Sequence, residues 1–168
     1  MRLFTAVLFE DSVKDSMMRE MERLRASCRG GNFTLRENLH MTLVFLGEVD
    51  RKGAAGALGA VRSVSFPEFF VEFDRIGRFR RRAGGDLYWM GIVRSPELER
   101  AEAELEAALR AAGLDFEGGR FSPHVTLARQ VAGGGLCGPI EPFSARVSRL
   151  SLMRSERIDG VLSYSEVK

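Results

Sequence analysis

The chain has 168 residues, 45% hydrophobic and 29% charged, with 25 Lys and Arg against 23 Asp and Glu for a net charge of +2. That length suits one domain, or two small lobes sharing a core, and the composition is that of an ordinary globular protein. No apolar run approaches the roughly 18 residues of a membrane span. The N-terminal segment lacks the apolar stretch and cleavage site of a secretory signal, so a cytoplasmic protein without membrane contact is expected.

Cys28 and Cys137 stand in no C-x-x-C spacing, which points to reduced, partly buried thiols rather than a disulfide framework or a zinc site. The basic residues are 22 Arg and only 3 Lys. Arg forks grip phosphates better than Lys does, but codon bias produces the same excess, so the total decides nothing. The one local concentration is Arg78, Arg80, Arg81 and Arg82.

Residues 2–9 read as a mostly buried strand. Asp11-Ser12 offers a helix N-cap, with Asp15 as the capping-box partner of Ser12. Val13, Met17, Met21, Leu24 and Cys28 then follow at helical spacing until Gly30-Gly31 ends the helix. A loop through Asn32–Asn38 leads to a strand over 39–47. Residues 50–63 read as a weaker helix, since Gly53, Gly56 and Gly59 each cost about 1 kcal/mol relative to Ala. Strands over 69–76 and 86–93 flank a glycine-bounded, Arg-rich turn and form a long hairpin. Tyr88 and Trp89 alternate on the second of these, so one faces the core and the other is free to stack on a base. Ser95-Pro96-Glu97 opens the strongest helix, with a stripe of Leu98, Ala101, Leu105, Ala108, Leu109 and Ala112 that Gly113 stops. A second motif strand covers about 123–130. Strands over 143–153 and 161–167, turning at Ile158-Asp159-Gly160, close the chain.

Two short stretches match. His40-Met41-Thr42-Leu43 and His124-Val125-Thr126-Leu127 hold both histidines of the chain, 84 residues apart, half its length. Strand, helix and motif strand in the first half shift by that offset onto strand, helix and motif strand in the second. This predicts two similar lobes related by a pseudo-two-fold, a pattern carried by element order more than by residue identity. Side chains alternate along a strand, so His40 and Thr42 share one face while Met41, Leu43 and Phe45 take the other. His124 and Thr126 do the same opposite Val125 and Leu127. Phe4, Phe45 and Phe121 are assigned to the core.

Two imidazoles and two hydroxyls around one cleft suit a phosphodiester. In-line displacement at phosphorus needs a base for the attacking oxygen and an acid for the leaving oxygen, and imidazoles titrating at about pH 6.5 can supply both. Thr42 and Thr126 can donate to the non-bridging oxygens, and Arg129, five residues after His124, can offset charge in the transition state. A singly charged diester handled this way requires no metal and no cofactor. A lone His-x-Thr carries little weight; two copies at matched positions carry much more.

The stretches Asn38–Gly47 and Phe121–Arg129 resemble the paired motifs of the two-histidine phosphoesterases, most of all the RNA 2',3'-cyclic phosphodiesterase branch, also called 2'-5' RNA ligase. The similarity extends to Arg2–Ala6, the Ser95–Gly113 helix and the closing hairpin. It implies a single bilobal α+β domain over residues 1–168, with two antiparallel sheets flanking a central cleft and helices outside. It implies hydrolysis of RNA 2',3'-cyclic phosphate ends or cyclic nucleotides to a 2'-phosphate, and in reverse the joining of tRNA halves through a 2'-5' linkage, by a monomer. His40 would be the proton donor and His124 the acceptor for water, with Thr42, Thr126 and Arg129 holding the phosphate. Ser122 departs from the basic residue that relatives often carry there, and the Gly133–Gly138 loop is short. Two alternatives stay open: action on 2'-5' oligonucleotides or an ADP-ribose cyclic phosphate, and an RNA-end binding module without turnover.

Overall fold

Runs of β-branched and aromatic residues become strands and the amphipathic stripes become helices in the computed structural model, which describes residues 1–81 and 83–168. The order is β1 (Arg2–Leu8), α1 (Asp11–Ala26), β2 (Gly30–Phe33), a 3₁₀ turn (Arg36–Asn38), β3 (His40–Glu48), α2 (Arg51–Ser63), β4 (Phe69–Phe79), β5 (Asp86–Ile92), α3 (Pro96–Ala111), β6 (His124–Ala132), β7 (Gly138–Val147), β8 (Ser151–Ile158) and β9 (Val161–Glu166).

The helices start where capping chemistry allows. Asp50 accepts from the Gly53 N–H at 2.7 Å, and the Ser95 hydroxyl accepts from the Leu98 N–H at 3.2 Å with Pro96 following at the first helical position. The expected Ser12–Asp15 capping box does not form. α1 begins at Asp11, after Glu10, and Asp15 instead receives Arg36 at 2.8 Å, which also reaches Asp11 at 3.0 Å. Two connections also differ from expectation. Gly30–Phe33, read as helix stop and loop, pairs with β6 as a short strand. The single strand expected over 143–153 is two, broken at Ser148–Leu150, so that β7 and β8 serve opposite ends of the sheet. The closing hairpin turns as expected, with Asp159 (φ 50°) and Gly160 (φ 81°) both left-handed, the geometry of a two-residue type I′ loop.

Among the described residues the strands make one antiparallel sheet, ordered β7-β4-β5-β6-β3-β1-β8-β9, with β2 beside β6. This corrects the expectation of two sheets. The halves join through one register pair, Met41 with Val125. The join is narrow because β2 occupies the same edge of β6 further along, at Ala128, Arg129 and Ala132. The two motif strands therefore meet at the centre and then part.

The apolar side of this sheet carries the helices. Met17, Met21 and Leu24 of α1, Ala57 of α2 and Leu98, Leu105 and Leu109 of α3 share one buried cluster with Met41, Leu43, Val125 and Leu127. α1 lies against β7 and β2, while α3 lies against α2 and β3, so each connecting helix covers the far half of the sheet. Tyr88 joins this core fully buried; its hydroxyl accepts from the Gly135 N–H at 2.6 Å and anchors the β6–β7 loop. Cys28 is half-buried, whereas Cys137 in that loop is exposed, correcting the expectation of two partly buried thiols. Tyr88→Phe strands the Gly135 amide without changing shape. It should cost about 1–3 kcal/mol in urea unfolding with unchanged far-UV circular dichroism; a neutral substitution would show that the loop is held by other contacts.

Candidate functional site

His40 and His124 are held by the same device. His40 Nδ1 lies 2.7 Å from the carbonyl of Asn38, and His124 Nδ1 lies 2.8 Å from the carbonyl of Ser122. A carbonyl only accepts, so each Nδ1 carries the hydrogen and each neutral ring presents Nε2 as the free acceptor. At His40 that Nε2 lies 3.0 Å from the Thr42 hydroxyl, which donates to it when the ring is neutral. The residues that supply the two carbonyls, like the histidines, stand 84 positions apart in sequence.

The strand geometry repeats as well. From His40 to Phe45 burial runs half-buried, buried, half-buried, buried, buried, exposed, and it does so again from His124 to Arg129. Both strands carry a bulge at the fourth position. The β1 register skips Leu43, between the pairs Ala6–Thr42 and Thr5–Val44. The β5 register skips Leu127, between Trp89–Thr126 and Tyr88–Ala128. An extra residue inverts the alternation beyond it. Phe45 is thereby turned out of the core, 48% exposed with the Arg2 guanidinium 5.0 Å over its ring, which corrects its assignment as a core residue. The same inversion returns Arg129, an odd number of residues from His124, to the histidine face.

Antiparallel pairing of Met41 with Val125 sets His40 across from Thr126 and Thr42 across from His124. His40 and His124 are then diagonal neighbours, positions that in a regular ladder stand about 7–8 Å apart along the backbone. Both His–Thr couples lie on the face opposite Met41, Leu43, Val125 and Leu127, away from the helices.

Each ring has an aromatic surround. His40 packs on Phe4 (4.8 Å, tilted) and edge-on to Tyr164 (5.1 Å), within a second small apolar cluster that includes Ala6 and Met153. Phe4 therefore belongs to the site side of the sheet, not to the main core; Phe121 packs on the main core as expected. His124 lies edge-on to Phe79 (6.0 Å) and Trp89 (6.3 Å). Between Tyr88 and Trp89 the sheet decides: Tyr88 enters the core and Trp89 takes the histidine face.

Burial pushes the His40 pKa below the ordinary imidazole value, opposed by its bond to the Asn38 carbonyl and assisted by the positive charges of Arg129, His124 and Lys14. Arg129 also acts on the Tyr164 phenol, whose pKa burial raises. Three positively charged groups thus act on His40, a field that suits an anion. No group of three or more His, Cys, Asp or Glu able to hold a metal occurs among the described residues. Of the Arg-rich turn, Arg78 points back to the Tyr88 hydroxyl (3.5 Å) and Asp86 (3.7 Å), and Arg82 lies outside the described residues.

Several contributors escape a reading from sequence. Asn38 is buried, bonds through Nδ2 to the Leu162 carbonyl at 2.8 Å, and so ties the His40 support to β9. Its place two residues before His40, matched by Ser122, is the available signal. Lys14 and Tyr164 carry no comparable sequence mark.

The family model for the 2'-5' RNA ligase superfamily matches residues 13–159. The chain is 34% identical over 131 residues to the RNA 2',3'-cyclic phosphodiesterase of Thermotoga maritima, covering 77% of this chain and 70% of that protein. It is 34% identical over 129 residues to the protein of the same name from Aeropyrum pernix, covering 71% and 73%. Among solved structures, E. coli LigT bound to 3'-AMP shares the fold with a TM-score of 0.80 at 22% identity, over 99% of this chain and 94% of that one. TT0787 of Thermus thermophilus does so with a TM-score of 0.83 at 24% identity, over 100% and 96%. With the family model spanning most of its length and relatives above 30% identity covered over more than two thirds, this chain belongs to the 2'-5' RNA ligase superfamily.

Proposed function

We propose that this protein is an RNA 2',3'-cyclic phosphodiesterase, a hydrolase that opens 2',3'-cyclic phosphate ends to 2'-phosphates with two histidines and no metal. The observation that carries the reading is the duplicated lock: two imidazoles, each with Nδ1 bonded to a carbonyl so that Nε2 carries no hydrogen in the neutral ring, beside two Thr hydroxyls on one sheet face. The names of the relatives from Thermotoga maritima and Aeropyrum pernix agree with it.

In this scheme the cyclic phosphate sits between the couples. His124 Nε2 takes a proton from water as its oxygen attacks phosphorus, and His40, protonated, gives its Nε2 proton to the departing 3'-oxygen. One P–O bond forms, one breaks, and the two histidines exchange protonation states before solvent restores them. The Thr42 and Thr126 hydroxyls donate to the non-bridging oxygens. Arg129 balances the charge that accumulates there. The low pKa of free His40 is matched to an anionic substrate, because a bound phosphate favours the imidazolium. The natural RNAs include tRNA halves in this reading, and the enzyme acts as a cytoplasmic monomer.

We also take the chain as a single domain of two lobes about a pseudo-two-fold through Met41 and Val125. The repeated carbonyl lock, the repeated bulge and the constant offset support that symmetry. The crossing of α1 and α3 onto each other's half of the sheet supports one folding unit.

His40→Ala or His124→Ala should lower turnover of a 2',3'-cyclic nucleotide about 10²–10⁴-fold with unchanged circular dichroism; near-wild-type turnover in either variant would end the two-base scheme. The pH profile gives an independent check. The scheme needs one protonated and one neutral histidine, so kcat/KM should be bell-shaped with limbs that belong to the pair, and the lowered pKa of free His40 should set its acid limb below the ordinary imidazole value. The alkaline limb of kcat should lie at higher pH than that of kcat/KM, because bound phosphate stabilises the imidazolium. Arg129→Met, which removes a cation near His40, should move the acid limb of kcat/KM toward alkaline pH while lowering the height of the profile. A limb that stays put, or moves to lower pH, contradicts the placement of Arg129.

A further inference from the structure

The aromatic groups beside the two histidines are not equivalent. On the His40 side Phe4 is 3% exposed and Tyr164 half-buried, so those rings are spent on packing. On the His124 side Phe79 is 45% exposed and tilts 36° to Trp89 at 5.4 Å. The Trp89 ring rests on bare backbone. A Cβ added at Gly77 would fall 2.3 Å from its Cη2 and Cζ2, and one at Gly91 would fall 3.1 Å from its Cζ3. The Arg75 guanidinium lies 6.0 Å from the same ring. Two side-chain-free positions thus let a large ring lie close to the sheet beside His124, with an exposed phenyl at its margin. What sets Phe79 apart from the exposed Phe45 and Phe70 is its place, against Trp89 and edge-on to His124.

We propose that Trp89 and Phe79 form a stacking ledge for a nucleobase, that of the second nucleoside, joined to the phosphate through its 5'-oxygen. This rests on the phosphodiesterase reading and assigns a substrate class to the same site. In that reading His124 serves the oxygen that attacks phosphorus from outside the cyclic nucleotide. In hydrolysis that oxygen is water, and the ledge stays empty. With a 2'-5'-linked dinucleotide the same oxygen is the 5'-oxygen of a second ribose, whose base then reaches the ledge. Cleavage runs as the reverse displacement: the 3'-hydroxyl loses its proton to His40 and bonds to phosphorus, and the 5'-oxygen leaves with the proton of His124. Stacking of one base on an aromatic side chain contributes about 1–3 kcal/mol whatever the base, so the ledge favours ligands with a second nucleoside without reading their sequence.

Trp89 is the single tryptophan of the chain, so intrinsic emission reports the ledge alone. The intact protein is titrated with a 2'-5'-linked diadenylate lacking the 3'-hydroxyl at the linkage, which cannot cyclise, and separately with adenosine 2'-phosphate. The dinucleotide should change Trp89 emission saturably and bind at least tenfold tighter than the mononucleotide, which inhibits turnover with little change in emission. Phe79→Ala, at an exposed position, should reduce the ratio of the two affinities about tenfold, as loss of a stacking contact requires; Gly77→Ala, which lifts the indole, should do the same. Equal emission changes from both ligands, equal affinities, or an unchanged ratio in Phe79→Ala would overturn the ledge. The phosphodiesterase reading fails separately, if the wild-type protein leaves a 2',3'-cyclic nucleotide intact.

Discussion

The bond from each imidazole Nδ1–H to the carbonyl two residues earlier is the constraint on which the site depends. Without it a histidine on a strand is a mobile ring with two interchangeable nitrogens. With it, each neutral ring has one tautomer and one reactive nitrogen, on strands that meet at the Met41–Val125 pair. The supports behind the two rings differ. Asn38 is tied to β9 and its ring is walled by Phe4 and Tyr164; Ser122 closes a loop, and its ring meets Phe79 and Trp89. One device is thus repeated in two environments; burial and nearby positive charge lower the proton affinity of His40, and the proposed scheme asks the two rings to hold different protonation states in one turnover.

The bulges translate this into electrostatics. A strict alternation would have sent Arg129 to the helix side with Val125 and Leu127, where a guanidinium has no place. One extra residue at Leu127 returns it to the anion face, and the equivalent residue at Leu43 does the same for Phe45. The cost to the ladder is one unpaired residue in each strand. The gain is a cation whose field lowers the affinity of the free His40 for a proton and which, in the proposed scheme, is offset by the bound phosphate. The narrow join between the halves serves the same end. Because β2 takes over the edge of β6, the motif strands touch only where the histidines stand and then part.

Elements with strong local signals are legible in the sequence: α3 with Ser95 and Pro96, the Asp159-Gly160 hairpin, and the two His-x-Thr strands. What escapes is set by tertiary competition. Asp15 could cap α1 or pair with Arg36, and nothing local favours the second. β2 is four residues with two glycines, stable only because β6 offers an edge. The bulges are invisible to a period-of-two reading, which places Phe45 with Met41 and Leu43 in the core. One sheet reads as two because a single register pair joins its halves. Within the site, the histidines, threonines and Arg129 announce themselves by repetition. Tyr164 and Lys14 do not, because their role depends on where the ends of distant elements come to rest.

The most direct test of the central claim is a long-range ¹H–¹⁵N spectrum of the two imidazoles, which the chain's two histidines make simple to assign. In the free protein at pH 8 (above about 6.5, where imidazole is ordinarily neutral) both rings should show the Nδ1–H tautomer. One equivalent of adenosine 2'-phosphate should shift the Nε2 resonance of both together. An Nε2–H tautomer at either ring, or a response from only one of them, would contradict the account.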